Sequence, residues 1–102
     1  MLALRPTCEH CERPLPPAST DAMICSFECT FCRDCVETLL QGACPNCGGG
    51  FVPRPIRPAR EWVKGVSLGT FPGSTDPVHR PVDRERHRAL LERVGATPAA
   101  QR

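Results

Sequence analysis

The sequence has few of the large apolar side chains that fill a conventional protein core. Among its 102 residues are four Phe, one Trp and no Tyr, and the hydrophobic fraction of 40% includes eight cysteines. Twelve Pro and eight Gly argue against long regular elements. A chain this small and this poor in apolar side chains needs disulfides, metal ions or oligomerisation to fold.

Long apolar runs are also missing. No stretch of about 18 apolar residues occurs, which excludes a membrane-spanning helix. The first residues, from Met1 to Pro6, lack the apolar run of a signal peptide, so we expect a cytoplasmic protein. In a reducing compartment, paired cysteines bind metal more often than they form disulfides.

The charges are divided unevenly between the two halves of the chain. Residues 1–52 have a net charge of −3, and residues 53–102 have a net charge of +5. Metal-bound thiols are deprotonated, so eight thiolates around two divalent ions would bring the first half to −7 and the chain to −2. We expect the basic half to lie against the acidic half or to remain solvated.

The cysteines are grouped in four close pairs, which is what two tetrahedral metal sites require. Eight soft sulfur ligands select zinc or iron–sulfur, so we predict two Zn2+ ions, with an iron–sulfur cluster as the alternative. The iron–sulfur alternative rests on the run Cys29-x2-Cys32-x2-Cys35, which partly matches the cysteine spacing of ferredoxins. The pairs are Cys8 with Cys11, Cys25 with Cys29, Cys32 with Cys35, and Cys44 with Cys47.

A predicted short helix decides which pairs share an ion. The run from Val36 to Gln41 is amphipathic and ends at Gly42, so Cys44 lies beyond the far end of the helix. That end is about 12 Å from the start at about 1.5 Å per residue, too far for one ion to bind both flanking pairs. We therefore predict interleaved sites: Cys8, Cys11, Cys32 and Cys35 at site 1, and Cys25, Cys29, Cys44 and Cys47 at site 2.

The predicted fold is a small metal-stapled domain over residues 5–53, with one short helix and very short strands at Met23–Ile24, Phe31 and Phe51–Val52. An irregular Pro/Arg-rich linker follows at 54–82, where a polyproline II conformation would place Arg54, Arg57 and Arg60 on one face. A helix over 83–95 begins at Asp83 and ends at Gly95, and a disordered tail covers 96–102. The predicted core comprises Leu15, Ile24, Phe27, Phe31, Val36, Leu39, Leu40 and Phe51.

Two segments of the chain resemble the RING finger family, whose two zinc sites interleave as a cross-brace. Cys29-Thr-Phe-Cys32-Arg-Asp-Cys35-Val is similar to the RING centre, with Cys29 where histidine is usual, and Cys44-Pro-Asn-Cys47 is similar to its ending. The run from Cys25 to Cys32, with Cys35-Val-Glu-Thr and Cys44-Pro-Asn-Cys-Gly-Gly, also resembles a bacterial family catalogued as domain of unknown function 1272. That resemblance implies a zinc-finger-like protein and no activity.

RING ubiquitin ligases dock a conjugating enzyme through positions that correspond here to His10, Leu39 and Pro45. Leu39 and Pro45 agree with the apolar residues of that pattern, whereas His10 departs from it. Gly48 also stands where active ligases often have arginine. The Arg/Pro/Ala-rich composition and the resemblance to a bacterial family also suggest a bacterial protein, and bacteria normally lack ubiquitin. These features and the two departures argue against ligase activity.

The sequence therefore predicts a non-enzymatic, cysteine-rich zinc-binding adaptor for an unknown protein partner, with no membrane role. Four cysteines close each site, and a catalytic zinc needs an open position. The alternatives are a nucleic-acid-binding regulator using Arg54, Arg57, Arg60 and the basic helix, or a thiol-based zinc or redox sensor. We expect His10, His79 and His87 to be solvated, with zinc ligation or support of a ligand as the alternative for His10.

Overall fold

The computed structural model describes all residues 1–102 and contains one small antiparallel sheet. Its strands are β1 (Ala22–Ile24), β2 (Thr30–Cys32) and β3 (Val52–Pro53), in the order β2-β1-β3. Met23 of β1 pairs with Phe31 on one side and Pro53 on the other. The strands are within a residue of those predicted, and β1 and β2 bring the segments around Cys25 and Cys32 together.

A short helix, α1, follows β2 directly. It begins as one α-helical turn at Arg33–Cys35 and continues as a wider π-type turn at Val36–Leu40. Cys32 caps its start, where the Cys35 N–H donates to the Cys32 Sγ at 3.5 Å. Gln41 and Gly42, with φ angles of 50° and 78°, end the helix in the left-handed conformation that glycine adopts without strain.

The C-terminal helix α2 covers Arg84–Val94, as the sequence predicts. The Asp83 carboxylate caps it by accepting from the N–H groups of Glu85 and Arg86 at 3.1 Å. The residues beyond α2 differ from the disordered tail expected at 96–102. Ala99–Gln101 form a 3-10 turn, and the Arg102 guanidinium donates to the Gly42 and Gly48 carbonyls at 3.2 Å, which ties the chain end to the first half.

Cysteine makes up half of the buried apolar cluster, six of its twelve residues. Of the predicted core residues, Leu15, Phe31, Val36 and Leu40 are buried, Leu39 and Phe51 pack at the edge of the cluster, and Ile24 is half-buried. The prediction for Phe27 is wrong. It lies in the turn between β1 and β2 with 71% of its surface exposed, because the tight turn at Cys25–Glu28 points it away from the sheet.

The linker over 54–82 is irregular, as predicted, but it does not present one arginine face to solvent. Arg54 is 4% exposed, and its guanidinium donates to the carbonyls of Arg5, Leu15 and Pro16 at 2.9–3.1 Å. Arg57 donates to the carbonyls of Leu2 and Phe71, and Arg60 is exposed. Both arginines therefore donate to backbone carbonyls of residues outside the strands, which supplies partners for those acceptors.

Candidate metal centre

The first cysteine cluster consists of Cys8, Cys11, Cys32 and Cys35, whose Sγ atoms all lie within 4.8 Å of one another. Cys8 and Cys11 come from a tight loop that the Thr7–Pro14 bridge closes, and Cys32 and Cys35 come from β2 and α1. Three of the four residues are buried, and Cys11 is exposed. The structure therefore brings together two cysteine pairs that are 21 residues apart in the sequence.

The second cluster contains Cys25, Cys44 and Cys47, again with all Sγ atoms within 4.8 Å. Cys25 and Cys44 are buried, and Cys47 is exposed. Cys29, the predicted fourth member, lies beside the cluster but outside this distance limit. Its Sγ accepts a hydrogen bond from the Asn46 Nδ2 at 3.5 Å, so it faces the Cys44–Cys47 loop. The structure thus clusters all four cysteines predicted for site 1 and three of the four predicted for site 2, and Cys29 is not part of either cluster.

The cluster geometry suits single metal ions. Metal–sulfur bonds of about 2.3 Å in a tetrahedron give sulfur–sulfur distances of about 3.8 Å, and the Cys11 and Cys32 Sγ atoms are 3.7 Å apart. All eight cysteines are free of disulfides. Backbone N–H groups of Phe27, Asn46 and Gly49 donate to the sulfurs of Cys25, Cys44 and Cys47 at 3.3–3.4 Å, which supports thiolate ligands.

Burial opposes thiolates at these positions when no cation is present. It raises the pKa values of Cys29, Cys32, Cys35 and Cys44, because a buried thiolate loses its hydration. The pKa of the exposed Cys11 is lowered. Burial is the largest single effect and raises it, but hydrogen bonds with the Arg13 backbone and with the Cys8, Cys32 and Cys35 thiols together outweigh burial. A bound divalent ion would stabilise all of these thiolates, so the donor set fits a metal.

Glu9, between the first two cysteines, is a buried residue that the sequence analysis missed. Its side chain is 0% exposed, and Oε2 accepts from the Thr30 N–H and from Arg5 Nη1, both at 2.6 Å. Its Oε1 accepts from Arg80 Nη2 at 2.8 Å, and this hydrogen bond raises the pKa of Arg80. Glu9 joins the first cysteine loop to β2 and to the C-terminal half, and only its adjacency to Cys8 could have drawn attention to it.

The histidines are engaged rather than freely solvated. His10 is half-buried, and its Nδ1 accepts from the Val82 N–H at 2.9 Å, so it is not among the clustered metal ligands. Burial, then the charges of Arg84 and His79, lowers the pKa of His10. His79 is exposed and lies 3.2 Å from Glu12, whereas His87 is 3% exposed and its Nε2 donates to the Leu40 carbonyl at 2.9 Å. The expectation for His87 is therefore wrong, because α2 turns this face towards α1.

The predicted partner-contact positions are partly covered by the chain itself. Leu39 packs at the edge of the core and lines a cavity with Arg84, Arg88 and Leu91 of α2. Pro45 lines a second cavity with residues of the same helix, and Val82 meets His10. The C-terminal half thus lies over His10, Leu39 and Pro45.

The fold and the two clusters define a cysteine-rich domain with few helices and a small sheet, whose sulfur groups could hold metal ions. Residues 1–57 match the family described as "Protein of unknown function (DUF1272)". An uncharacterized protein of Rhizobium meliloti (strain 1021) is 58% identical over 81 residues, covering 79% of this chain and 89% of that relative. The chain belongs to this family. No solved structure matches it significantly, and no helix here has the length and apolar character needed to cross a membrane.

Proposed function

We propose that this protein binds two zinc ions and acts as a non-catalytic adaptor for another protein. Site 1 comprises Cys8, Cys11, Cys32 and Cys35. Site 2 comprises Cys25, Cys29, Cys44 and Cys47, so that the sites interleave along the chain in a RING-like cross-brace. The observation that carries the proposal is the convergence of four sulfurs from two distant segments within 4.8 Å.

The assignment of Cys29 to site 2 rests on its surroundings. Asn46, which sits between Cys44 and Cys47, donates through its side chain to the Cys29 Sγ at 3.5 Å. The Cys25 N–H also donates to the Cys29 carbonyl at 3.2 Å, which holds the two residues across one turn. With Cys29 as the fourth ligand, site 2 would have four sulfurs, the usual composition of structural zinc sites.

Zinc is favoured over an iron–sulfur cluster because the sulfur spacing corresponds to the edge of a tetrahedron around one ion. An adaptor role is favoured because both sites would be closed by four protein ligands. Catalytic zinc keeps a position for water or substrate, and such a position is lacking when four cysteines coordinate. The ions would instead fix the relative positions of the loops and α1, which together present a surface.

Zinc content of the purified full-length chain tests this proposal. We expect two zinc ions per chain by native mass spectrometry, colourless protein, and loss of both ions together with the fold under a chelator. No bound metal, or an iron–sulfur absorption spectrum, would refute the proposal.

The place of Cys29 can be tested separately with matched variants. Cys29→Ser should weaken binding of one zinc ion by at least about tenfold, a loss of about 1.4 kcal/mol, while the other ion stays bound. Phe27→Ala changes a neighbouring exposed side chain and should leave both ions in place. Equal zinc affinity of the Cys29→Ser variant and the wild type would exclude Cys29 from site 2.

Exposure of one cysteine at each cluster, Cys11 and Cys47, favours a zinc or redox sensor as the second candidate. Peroxide would oxidise two thiolates to one disulfide, the two electrons would reduce the peroxide to water, and the zinc would be released. Release of about one zinc per equivalent of dilute peroxide would support this function. Retention of zinc at tenfold excess peroxide would eliminate it.

A further inference from the structure

The segment over residues 79–94, here called the strap, runs across the surface of the cysteine-rich half. The Arg80 N–H donates to the Glu9 carbonyl at 2.9 Å, and the Val82 N–H donates to His10 Nδ1 at 2.9 Å. Further along, His87 Nε2 donates to the Leu40 carbonyl at 2.9 Å. We call the surface that contains Glu9, His10 and Leu40 the docking groove, because it binds both an extended segment and a helix.

The docking groove contains a buried carboxylate, which requires a positively charged partner from the segment that binds there. Glu9 is fully buried, and its Oε2 is already paired with Arg5 and the Thr30 N–H. Its Oε1 is paired with Arg80 of the strap. Loss of Arg80 would leave one oxygen of a buried carboxylate without its donor, which is costly. The groove therefore selects a cation at this position.

The rest of the strap packs loosely. His87 is the one buried residue of α2. Three clefts of about 460, 620 and 390 Å³, all open to solvent, lie between the strap and the cysteine-rich half, and each is lined by residues of α2 together with residues of that half. A helix held by few buried contacts opens at a lower free energy than a close-packed core. An exchangeable ligand needs a few specific polar contacts, which give selectivity, and limited packing elsewhere, which allows release. The strap has both.

The distribution of charge also favours the strap as a ligand of the cysteine-rich half. The strap carries five arginines and three acidic residues, a net charge of +2 with neutral histidines, whereas residues 1–52 carry −3 before any thiolate is counted. Long-range attraction therefore steers a basic segment towards the acidic half. The linker between them, rich in Gly and Pro, has few regular elements that would resist displacement of the strap.

We propose that the docking groove is the adaptor's protein-binding site and that the strap is its intramolecular ligand. The external partner is a basic protein segment of the same chemistry: an arginine for Glu9, a Pro-apolar pair whose backbone N–H reaches His10, and a basic helix behind it. This inference rests on the proposed adaptor function and names the partner class. In the free protein the strap occupies the site, and a partner segment must displace it.

The test uses the zinc-loaded full-length chain and a fluorescent peptide of residues 77–95. The wild type is compared with the Arg80→Ala/His87→Ala double variant, which weakens the strap and leaves the groove residues unchanged. We expect the peptide to bind the variant at least about tenfold more tightly, because apparent affinity scales with the fraction of free sites. A peptide carrying the same two substitutions should not bind.

Several outcomes would overturn the inference. Equal binding of the peptide to both proteins, or no binding to a variant that retains zinc and its circular dichroism spectrum, would show that the groove is not a peptide site. A wild-type dimer in light scattering would assign the groove to a second copy of the chain instead. Absence of zinc in the wild type would refute the proposed function itself, so the two failures are distinguishable.

Hydrogen exchange on the wild type decides the matter if the double variant does not fold. We expect the amides of Arg80, Val82 and His87 to open together, at least about a hundredfold more often than those of β1 and β2. Opening of these amides only with global unfolding would contradict an exchangeable strap.

Discussion

The two halves of the molecule are held in place by different means. In residues 1–52 a cluster that is half cysteine supplies the buried interior, and the sheet and α1 surround it. In residues 53–102 large apolar side chains remain exposed, among them Trp62 at 80% and Val63 at 66%. The second half is ordered through hydrogen bonds of Arg54, Arg57, Arg80 and His87 to the first. The second half thus depends on a scaffold that it does not build.

The order of the second half therefore depends on the first half, whereas the first half does not depend on the second. Breaking a contact of the second half should loosen that half and leave the cysteine clusters intact. Disrupting the clusters should unfold both halves, because Glu9 and Leu40, the anchors of the second half, are positioned by the cysteine-rich core. The following changes test the comparison in order of decreasing effect.

Metal removal should have the largest effect. Structural zinc contributes about 10–16 kcal/mol of apparent binding free energy in small domains, which is comparable to the whole stability of a typical protein, about 5–15 kcal/mol. We expect a high-affinity chelator to collapse the dispersed amide NMR spectrum of both halves at once. Continued dispersion of the signals from β1 and β2 after complete zinc removal would show that the cysteine clusters do not replace a core.

Phe31→Ala tests the apolar remainder of the core. Phe31 is 0% exposed, and its ring meets Phe51 edge to face with centroids 5.7 Å apart. The substitution should lower the free energy of unfolding by about 3–5 kcal/mol in zinc-saturated protein, as measured by denaturant titration. The matched Phe27→Ala variant should change it by less than about 0.5 kcal/mol. Similar losses for the two variants would contradict the burial difference.

Glu9→Gln weakens the principal link between the halves. It removes the charge that Arg5 and Arg80 share, and we expect a loss of about 1–3 kcal/mol. Glu12→Gln, at an exposed carboxylate near His79, should cost less than about 0.5 kcal/mol because surface pairs contribute little. Denaturant titration at fixed free zinc compares the two, and an equal effect would refute the linking role of Glu9.

Asp83→Ala should have the smallest effect and act on α2 alone. Loss of the cap at the start of α2 costs about 1 kcal/mol of helix stability. We expect about fivefold faster amide exchange within Arg84–Val94 and unchanged exchange in β1 and β2. Asp76→Ala, a change at an exposed residue outside the helix, serves as the control, and a matching effect of the control would contradict the capping role.

Features fixed by local chemistry were predictable from the sequence. The strands, the end of α1 near Gly42 and the Asp83 and Gly95 limits of α2 depend on neighbouring residues, and the structure has them. The separation of Cys32 from Cys44 also follows from the length of α1, and the two residues lie in different clusters. The place of Cys29 in site 2 stays a prediction. Zinc itself stays a prediction.

Features that depend on distant parts of the chain were not predictable. Arg54 is buried because carbonyls near Arg5 and Leu15 need donors, and no local pattern reveals that need. Phe27 is large and apolar, like a core residue, but it lies in an exposed turn. Glu9 and His87 are buried polar residues with partners distant in the sequence: Thr30 and Arg80 for Glu9, and Leu40 for His87.

Cadmium-113 NMR of the cadmium-substituted full-length chain tests the interleaved clusters most directly. We predict two cadmium signals, one coupled to the β-protons of Cys8, Cys11, Cys32 and Cys35, and the other to those of Cys25, Cys29, Cys44 and Cys47. A single signal coupled to both Cys25 and Cys32, or no bound cadmium, would contradict the account.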